Sequence, residues 1–351
     1  MRKSQAAIAL GVGAVLVLAG CAASPAGEGE DVTLTWETTG GAATDKEAAA
    51  FQVPFTEETG TKFENVSSPS AVNQIQTMVE TGNVIWDITH KGSFVSVRYC
   101  GELFEELEFP SVPDDLYPEG STNACAKPLT KYGVGFAYDS AAYEGTVPST
   151  INDFFDTAKF PGKRVVLGTN PRGVLEAALV ADGVDPEELF PLDIERALEK
   201  LDTIKTDIIF APSLTALAQN ITDKQATMVI ALTGRLAAIN ESGATLEPVW
   251  DFTSWDFDAL LVPKGSKNVE TAQEAIEFAM QPEQIIRYAE LAGSAPVRSD
   301  VDLSTIDFTE EQQRFSPFLG DDRGVLTLQD PQWWAENNAA ANEAYVAWQV
   351  G

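Results

Sequence analysis

Histidine and positive charge are scarce in this 351-residue chain, and each shortage excludes a class of function. The single histidine, His90, excludes sites built from several histidine ligands and leaves one imidazole for acid–base chemistry. Only 23 lysines and arginines stand against 53 aspartates and glutamates, which gives a formal net charge of −30. Nucleic-acid binding needs a basic surface that replaces the counterions on phosphate, so this charge balance excludes ordinary nucleic-acid binding.

The acidic excess and the length define the broad class of the chain. We interpret the negative charge as a solvated acidic surface, such as a saline habitat favours; a field that concentrates cationic solutes near a cleft is the alternative. Hydrophobic residues make up 44% of the sequence, which is ordinary for a globular protein. The length predicts two domains, each large enough for its own hydrophobic core.

The N-terminus resembles the export signal of a bacterial lipoprotein. Two basic residues precede a mostly apolar stretch over residues 6–17, and the sequence Leu-Ala-Gly-Cys then ends at Cys21. The apolar stretch is short for a membrane span, so we expect residues 1–20 to be cleaved as a signal peptide. The resemblance implies that Cys21 is lipidated and anchors the chain to the outer face of the cell membrane through a tether, residues 21–30. A plain signal peptide with a chance cysteine is the alternative.

Two further cysteines, Cys100 and Cys125, are left over in an exported chain, and this predicts a disulfide between them. The bridge would close a loop over residues 101–124, which contains three prolines. Closing a loop of that length stabilises a fold by roughly 3 kcal/mol in the chain-entropy model. Two free, buried thiols are the alternative.

Strand-like and helix-like segments alternate from residue 32 onward. Predicted strands cover residues 32–36, 62–66, 85–89, 164–167, 227–232 and 257–262. Predicted helices cover residues 46–58, 71–81, 174–181 and 194–204, with a pair of helices over 271–292. This alternation predicts an α/β fold with mostly parallel sheets flanked by helices.

Polar loops follow several of these strands, and in such folds ligands bind beyond the carboxyl ends of the strands. The loops cover residues 37–41, 90–93, 168–173 and 233–235, and they are rich in hydroxyl, amide and glycine residues. That composition suits a polar molecule held by hydrogen bonds rather than a nucleophile with its base. The ligand contacts predicted in and near these loops are Thr38, Thr39, His90, Asn170, Thr233 and Ser294.

Several segments of the chain match a known family in order and spacing. They are FTEETGTKF at 55–63, YGVGFAYD at 132–139, FPGKR at 160–164, WDFDALLVP at 255–263, AIEFAMQPE at 275–283, and the tail 333–345. With these segments, the order of elements resembles the extracellular solute-binding proteins of bacterial ABC importers, in the branch that binds spermidine, putrescine or 4-aminobutyrate. The segments are individually loose, and their order together with the lipoprotein motif carries the resemblance, which spans nearly the whole mature chain.

The resemblance implies a two-lobed, type II periplasmic-binding-protein fold, with each lobe a mostly parallel sheet flanked by helices. Crossover strands would join the lobes near residues 132–138 and 255–261. Lobe 1 would hold 31–133 plus 260–297, and lobe 2 would hold 134–259 plus 298–351. Hinge closure of two lobes sequesters a solute and presents a surface to a permease.

The resemblance also implies a binding site for an amine. Polyamine binders carry a tryptophan and an aspartate before the second crossover, and Asp258 matches that aspartate. Trp255 lies three residues before Asp258 instead of two, and Asp256 occupies the usual tryptophan position. A carboxylate and an aromatic face are what an alkylammonium needs. A core tryptophan and a surface carboxylate are the alternatives.

Other polyamine-binding residues are missing, and an arginine suggests a different solute. Arg235 could hold a carboxylate with its planar guanidinium while Asp258 takes an ammonium, which describes a site for an ω-amino acid. The resemblance implies these roles in the 4-aminobutyrate binders. Arg172 competes for the same role, and an exposed Arg235 outside the site is the alternative.

The sequence therefore predicts a monomeric, lipid-anchored receptor that delivers a small amine or zwitterion to an ABC permease. Another polar solute, such as a betaine, a common amino acid or another organic molecule, is the alternative ligand, and an enzyme on the same scaffold is a second, less favoured alternative. The chain contains no G-x-S-x-G elbow, no glycine-rich phosphate loop and no telling cysteine–histidine pair, so we expect neither an enzyme nor a cofactor or metal.

Overall fold

A computed structural model describes residues 32–38, 40–68, 71–320 and 323–351 of the chain. The predicted signal peptide, the tether, the lipidation site Cys21 and the candidate ligand contact Thr39 lie outside the described residues.

Strands and helices alternate along most of the described chain. The strands are β1 Thr33–Thr38, β2 Lys62–Ser67, β3 Ile88–Gly92, β4 Pro128–Asp139, β5 Arg164–Leu167, β6 Ile208–Ala211, β7 Met228–Leu232, β8 Leu246–Leu261, β9 Ala295–Pro296 and β10 Val325–Leu328. The helices are α1 Ala42–Glu47, α2 Val53–Thr59, α3 Ala71–Thr81, α4 Ser93–Tyr99, α5 Ile151–Phe155, α6 Val174–Ala181, α7 Ile194–Asp202, α8 Leu214–Thr222, α9 Thr233–Glu241, α10 Val269–Ala279, α11 Pro282–Ala292, α12 Glu310–Phe315 and α13 Pro331–Val350. A π-helical turn, Ala48–Gln52, joins α1 to α2.

The described strands form one mixed sheet in the order β2-β1-β3-β8-β4-β7-β5-β6, with β10 paired to β8 and β9 to β4. The strands β1, β2 and β3 pair in parallel, and so do β5, β6 and β7. The expected parallel pairing within each half is therefore present. The two halves are nevertheless joined by hydrogen bonds, because β4 and β8 pair antiparallel to each other and to both halves.

The strands β4 and β8 are the longest strands among the described residues, with 12 and 16 residues. Their ladder is interrupted by a register shift between Gly135 and Phe136. Buried apolar side chains form one large core around Trp36 and Phe51 and another around Phe136 and Trp334. The long strands therefore connect two separate cores, and the lobe boundaries given above stay a prediction.

Several local predictions were wrong, and two of them concern polar loops. The strand predicted over 85–89 begins at Ile88 instead, and the side chain of Ile85 is 61% exposed. The second half of β3 pairs with β8, with His90 opposite Leu260. His90 therefore lies in a strand and not in the predicted loop. The residues predicted as a loop over 233–235 form the first turn of α9.

Cys100 and Cys125 form a disulfide with a sulfur–sulfur distance of 2.06 Å. Cys125 is fully buried beside Phe104, in a small core that also contains Trp86. The disulfide therefore links the irregular, proline-containing segment, residues 101–124, to the half of the sheet that contains β3. None of the helices seen in the described ranges is both long and apolar enough to cross a bilayer.

Candidate functional site

A cavity of about 560 Å³ opens where β4 and β8 run from one core to the other. Its walls come from α1, β3 and α11 on one side and from α6, β7 and α9 on the other, with β4 and β8 between them. The volume lies within the range of pockets that bind small molecules. Residues on both sides of the cavity belong to the two cores, and binding of a solute there stays a prediction.

Acidic and imidazole groups form one wall of the cavity. Asp258 lies on β8 with its side chain 31% exposed, opposite Gly92 of β3 and Thr130 of β4. His90 Nε2 lies 3.7 Å from Asp258 Oδ2, and His90 Nδ1 lies 3.0 Å from Glu47 Oε1. This wall therefore carries two carboxylates, bridged by the one imidazole of the chain.

Burial and neighbouring charges shift the pKa values of Asp258 and His90 on this wall. Burial raises the pKa of Asp258, and the neighbouring His90 opposes that change. Burial would lower the pKa of His90, but the carboxylates of Glu47 and Asp258 outweigh it and raise that pKa above its ordinary value. Glu47 is held in place because the indole Nε1 of Trp36 donates a hydrogen bond to its Oε2 at 2.7 Å. The wall thus favours a positive charge near Asp258.

Three buried polar atoms on the walls have no hydrogen-bond partner among the described residues: His90 Nε2, Ser294 Oγ and Gln329 Oε1. Gln329 is 1% exposed, and its Nε2 donates to Ser254 Oγ at 3.0 Å, which fixes the direction of its free oxygen. Water or a polar ligand in the cavity would satisfy these three atoms.

The cavity has more cations than anions on its walls, although the chain is strongly acidic. The lining contains Lys46, Lys91, Lys131, Arg172 and Arg235 but only two carboxylates, Glu47 and Asp258. Lys91 is paired with the buried carboxylate of Glu37. Arg172 donates from Nη1 to Asp256 Oδ2 at 2.8 Å, and its guanidinium lies 4.6 Å from the ring centre of Phe94. Lys91 and Arg172 therefore already have partners in the fold.

Arg235 differs from these cations. It is exposed in the first turn of α9, and no carboxylate of the described ranges lies within 4 Å of it. Lys46, on α1 across the cavity, also lacks an ion pair there, and burial together with the charge of Arg235 lowers its pKa. Two cations from opposite walls thus lie near one another without an ion pair in the described ranges, although the carboxylate of Glu241 partly offsets the effect of Arg235 on Lys46.

Asp256 was predicted as a ligand contact, and the structure shows it in a different environment. It is 1% exposed and is not among the residues that line the cavity in the described chain. Its carboxylate accepts hydrogen bonds from Arg172, from Tyr132 at 3.0 Å, from Ser93 at 2.5 Å and from the backbone of Phe257 at 2.8 Å. It is therefore positioned to hold the cavity wall in shape.

Two other predicted contacts also lie behind the wall. Trp255 packs edge-on against Phe318, with ring centres 6.1 Å apart, and is not itself a lining residue. The side chain of Thr38 is fully buried, and its hydroxyl lies 2.5 Å from that of Thr44. Contact of Trp255 and Thr38 with a ligand stays a prediction. The position of both side chains behind the cavity wall does not favour it.

The remaining predicted contacts line the cavity, and several lining residues were not predicted. Predicted residues on the walls are His90, Asn170, Thr233, Arg235, Asp258 and Ser294. Unpredicted residues on the walls include Lys46, Glu47, Tyr132, Tyr288 and Gln329. Lys46 and Glu47 lie in a helix without a motif, so the sequence carried no signal for them. No cluster of three or more histidine, cysteine or acidic side chains that could hold a metal occurs in the described ranges.

Comparisons with known proteins match this architecture. A family model for bacterial extracellular solute-binding proteins matches residues 50–315. The gamma-aminobutyric acid-binding protein of Pseudomonas aeruginosa is 28% identical over 340 residues, which cover 95% of each chain. The solved structure of a GABA receptor is 30% identical with a TM-score of 0.81, covering 90% of this chain and 97% of the receptor. A substrate-binding protein of an ABC transporter from Bradyrhizobium japonicum is 28% identical with a TM-score of 0.82, covering 90% of this chain and 99% of that one.

Because the family model matches most of its length, the chain belongs to the bacterial extracellular solute-binding proteins. It is an exported substrate-binding protein of an ABC transporter and not an enzyme. The similarity in structure confirms the predicted α/β fold of type II binding proteins.

Proposed function

We propose that the protein captures 4-aminobutyrate or a closely related ω-amino acid in the cavity between its two cores. The ligand ammonium would lie at Asp258, and the ligand carboxylate at Arg235. The observation that carries the proposal is that these two opposite charges line one cavity without pairing with each other. A solute with a charge at each end satisfies both.

The ammonium end is supported by acceptor atoms on the cavity walls. Asp258 Oδ2 belongs to the lining, and so do His90 Nε2, which is an acceptor when the ring is neutral, and the free Oε1 of Gln329. An alkylammonium has three N–H donors and no acceptor, so a wall of acceptors is complementary to it. A betaine has no N–H to donate and would leave these atoms without partners.

The carboxylate end is supported by the two unpaired cations. Arg235 can donate two parallel hydrogen bonds to a carboxylate, and the ammonium of Lys46 faces it from the opposite wall. An anion between them would remove the repulsion between these like charges, so a carboxylate would also draw α1 toward α9. This favours closure of the cleft around an amino acid.

A polyamine is the second candidate because the family resemblance includes polyamine binders. The lining does not favour it: five cations and one imidazole stand against two carboxylates. A second ammonium would have to lie near Arg235 or Lys46, where it meets like charge. The names of two relatives, one a gamma-aminobutyric acid-binding protein and the other a GABA receptor, support the same choice.

The remaining steps of transport belong to this proposal. Lipid on Cys21 would hold the protein at the outer face of the membrane, where the closed form delivers its solute to a permease as a monomer. The hydrolysis of ATP would take place in other subunits of the importer.

Calorimetry with two variants tests the assignment. Arg235→Ala should weaken binding of 4-aminobutyrate by about 100-fold, since a bidentate pair with the ligand carboxylate is lost, and should leave putrescine binding unchanged or stronger. Asp258→Asn should weaken both solutes, because both need the carboxylate for an ammonium. Arg287→Gln and Asp115→Asn, which remove exposed charges outside the cavity, are the matched controls and should bind like the wild type.

A thermal-shift screen of the wild type gives the complementary result. We expect 4-aminobutyrate to raise the midpoint of unfolding more than putrescine, betaine or the common α-amino acids do, because only a ligand bound to the native state stabilises it. Stabilisation by sugars or simple anions alone would refute the amine assignment.

A further inference from the structure

The only histidine of the chain is buried beside the proposed ammonium site. His90 is 9% exposed and lines the cavity, and its Nε2 has no hydrogen-bond partner in the described ranges. The other ring nitrogen, Nδ1, lies 3.0 Å from Glu47 Oε1 and can only donate to that carboxylate. In the neutral ring the proton is therefore on Nδ1, and Nε2 is an acceptor that faces the cavity.

The gap between His90 Nε2 and Asp258 Oδ2 is 3.7 Å, which is longer than a hydrogen bond. When the ring is neutral, both atoms are acceptors and repel one another across this gap. A positively charged N–H group relieves the repulsion, and two such groups are available. One is the proton of the imidazolium itself, and the other is the ammonium of a ligand.

We propose that His90 and Asp258 share one cation site, in which the ligand ammonium replaces the proton on His90 Nε2, so that capture of the amine releases a proton. This inference rests on the proposed binding of an ω-amino acid. The imidazolium loses its Nε2 proton to solvent, and the ligand nitrogen then donates one N–H to Nε2 and another to Asp258 Oδ2.

The groups that face His90 set the balance of this exchange. Glu47 on α1 and Asp258 on β8 stabilise the imidazolium, whereas burial and the neighbouring Lys91 oppose it. The ring of Tyr288 on α11 lies 6.2 Å away, and burial keeps its phenol neutral by raising its pKa. The carboxylates outweigh the opposing effects, so the pKa of His90 in the unliganded protein lies above its ordinary value.

Conservation of charge favours exchange over simple addition. With the imidazolium present, His90, Glu47 and Asp258 together carry one net negative charge. Replacing the proton with an ammonium keeps that charge unchanged. Adding the ammonium to the charged ring would instead direct two positive N–H groups at the same gap, and like charges at such a distance in a buried site repel strongly.

Calorimetry of the exported protein with 4-aminobutyrate tests the exchange. Titrations in phosphate and in Tris at about pH 6, 7 and 8 give the number of protons released, from the dependence of the binding enthalpy on the ionisation enthalpy of the buffer. The ammonium of the ligand stays charged in this range, since alkylammonium groups titrate near 10.4, about as lysine does. We expect release that approaches one proton at the lowest pH, with affinity rising by up to about tenfold per pH unit until His90 is neutral.

Two variants separate this exchange from a merely structural role of the histidine. His90→Gln keeps an acceptor in the gap but cannot titrate, so it should still bind 4-aminobutyrate, with an affinity that no longer depends on pH. Glu47→Gln removes the carboxylate that stabilises the imidazolium, so the proton release should move to lower pH. Because the chain has one histidine, its imidazole NMR signals report the same titration directly, and saturating 4-aminobutyrate should lower the pKa they show.

The outcomes distinguish the two proposals. Tight binding of 4-aminobutyrate without proton release and with an unchanged imidazole titration overturns the exchange and leaves the proposed function intact. A proton release that persists in His90→Gln assigns the proton to another group and also overturns the exchange. Absence of 4-aminobutyrate binding at every pH overturns the proposed function, and the inference falls with it.

Discussion

Two aspartates, only two residues apart on β8, illustrate how neighbouring side chains decide the role of a residue. Asp256 has its carboxylate saturated by an arginine, a tyrosine, a serine and a backbone amide, whereas Asp258 retains a free edge toward the cavity. Alternate residues of a strand share one face, so the difference does not arise from direction. It arises from what the neighbouring strands supply.

Replacing these aspartates should therefore separate stability from binding. Asp256→Asn leaves Arg172 without its anion, and the free energy of unfolding should fall by about 3 kcal/mol, as for a broken buried pair. Asp258→Asn should change it by less than about 1 kcal/mol, because burial already disfavours the charge there. Urea unfolding of the unliganded proteins measures both, and equal losses in the two variants would contradict these roles.

At the same scale, the sequence revealed only part of the candidate site. Asp258 and Arg235 were predictable because they match the family resemblance, and His90 because it follows a predicted strand. Glu47 and Gln329 carry no local signal, because only the packing of distant segments brings them to the cavity wall. Trp255 and Asp256 were predicted to contact the ligand because of their spacing from Asp258 in the family pattern. Such spacing does not show whether a side chain already has a partner in the fold, as Asp256 has in Arg172.

At the scale of elements, one buried carboxylate links the start of α6 to the C-terminal helix α13. Glu176 is fully buried, and its side chain accepts hydrogen bonds from the backbone of Gly173 at 2.6 Å and from the indole of Trp334 at 3.1 Å. Gly173 has a φ of +80°, and a β-carbon there would lie 2.3 Å from Val134, so only glycine fits. The same turn carries Arg172 into the cavity.

Burial raises the pKa of Glu176 from an ordinary 4.5 to about 7, which predicts how stability depends on pH. Between these values the native state binds more protons at this residue than the unfolded state does, so its contribution falls as pH rises from 4.5 to 7. The difference amounts to about 3 kcal/mol. Glu176→Gln should remove this decline in stability, which is measured as the free energy of unfolding against pH. If the variant shows the same decline as the wild type, the decline belongs to other titratable groups.

The sequence predicted the bounds of several elements correctly. It misplaced the bounds of others for a physical reason. The helix α3 and the strand β5 have the predicted bounds, because apolar spacing and flanking glycines act locally. The strand β3 extends past its predicted end because β8 pairs with it. Such pairing joins residues more than 150 positions apart, and hydrophobic periodicity does not contain that information.

At the scale of the whole molecule, the strongly acidic chain surrounds a cavity with a cationic excess. The whole chain has a net charge of −30, whereas the cavity walls carry more lysine and arginine than aspartate and glutamate. The alternative that the acidic charge selects cationic solutes is therefore not favoured by the local charges. Net charge instead acts on the stability of the compact state.

Salt should therefore stabilise the protein. Raising KCl from about 0.05 to 1 M shortens the Debye length from more than 10 Å to about 3 Å and screens the repulsion between surface carboxylates. We expect the midpoint of thermal unfolding to rise by about 5 °C or more, with an equal osmolality of sucrose as the control for effects unrelated to charge. A midpoint that falls with KCl would contradict the interpretation of the acidic surface as self-repelling.

A crystal structure with 4-aminobutyrate shows whether one cavity holds the two ends of an ω-amino acid at opposite charges. We expect the ligand nitrogen within about 3 Å of Asp258 Oδ2 and His90 Nε2, and the ligand carboxylate on Arg235. A ligand bound in the reverse direction, or density for it only outside this cavity at saturating concentration, would overturn the proposed function.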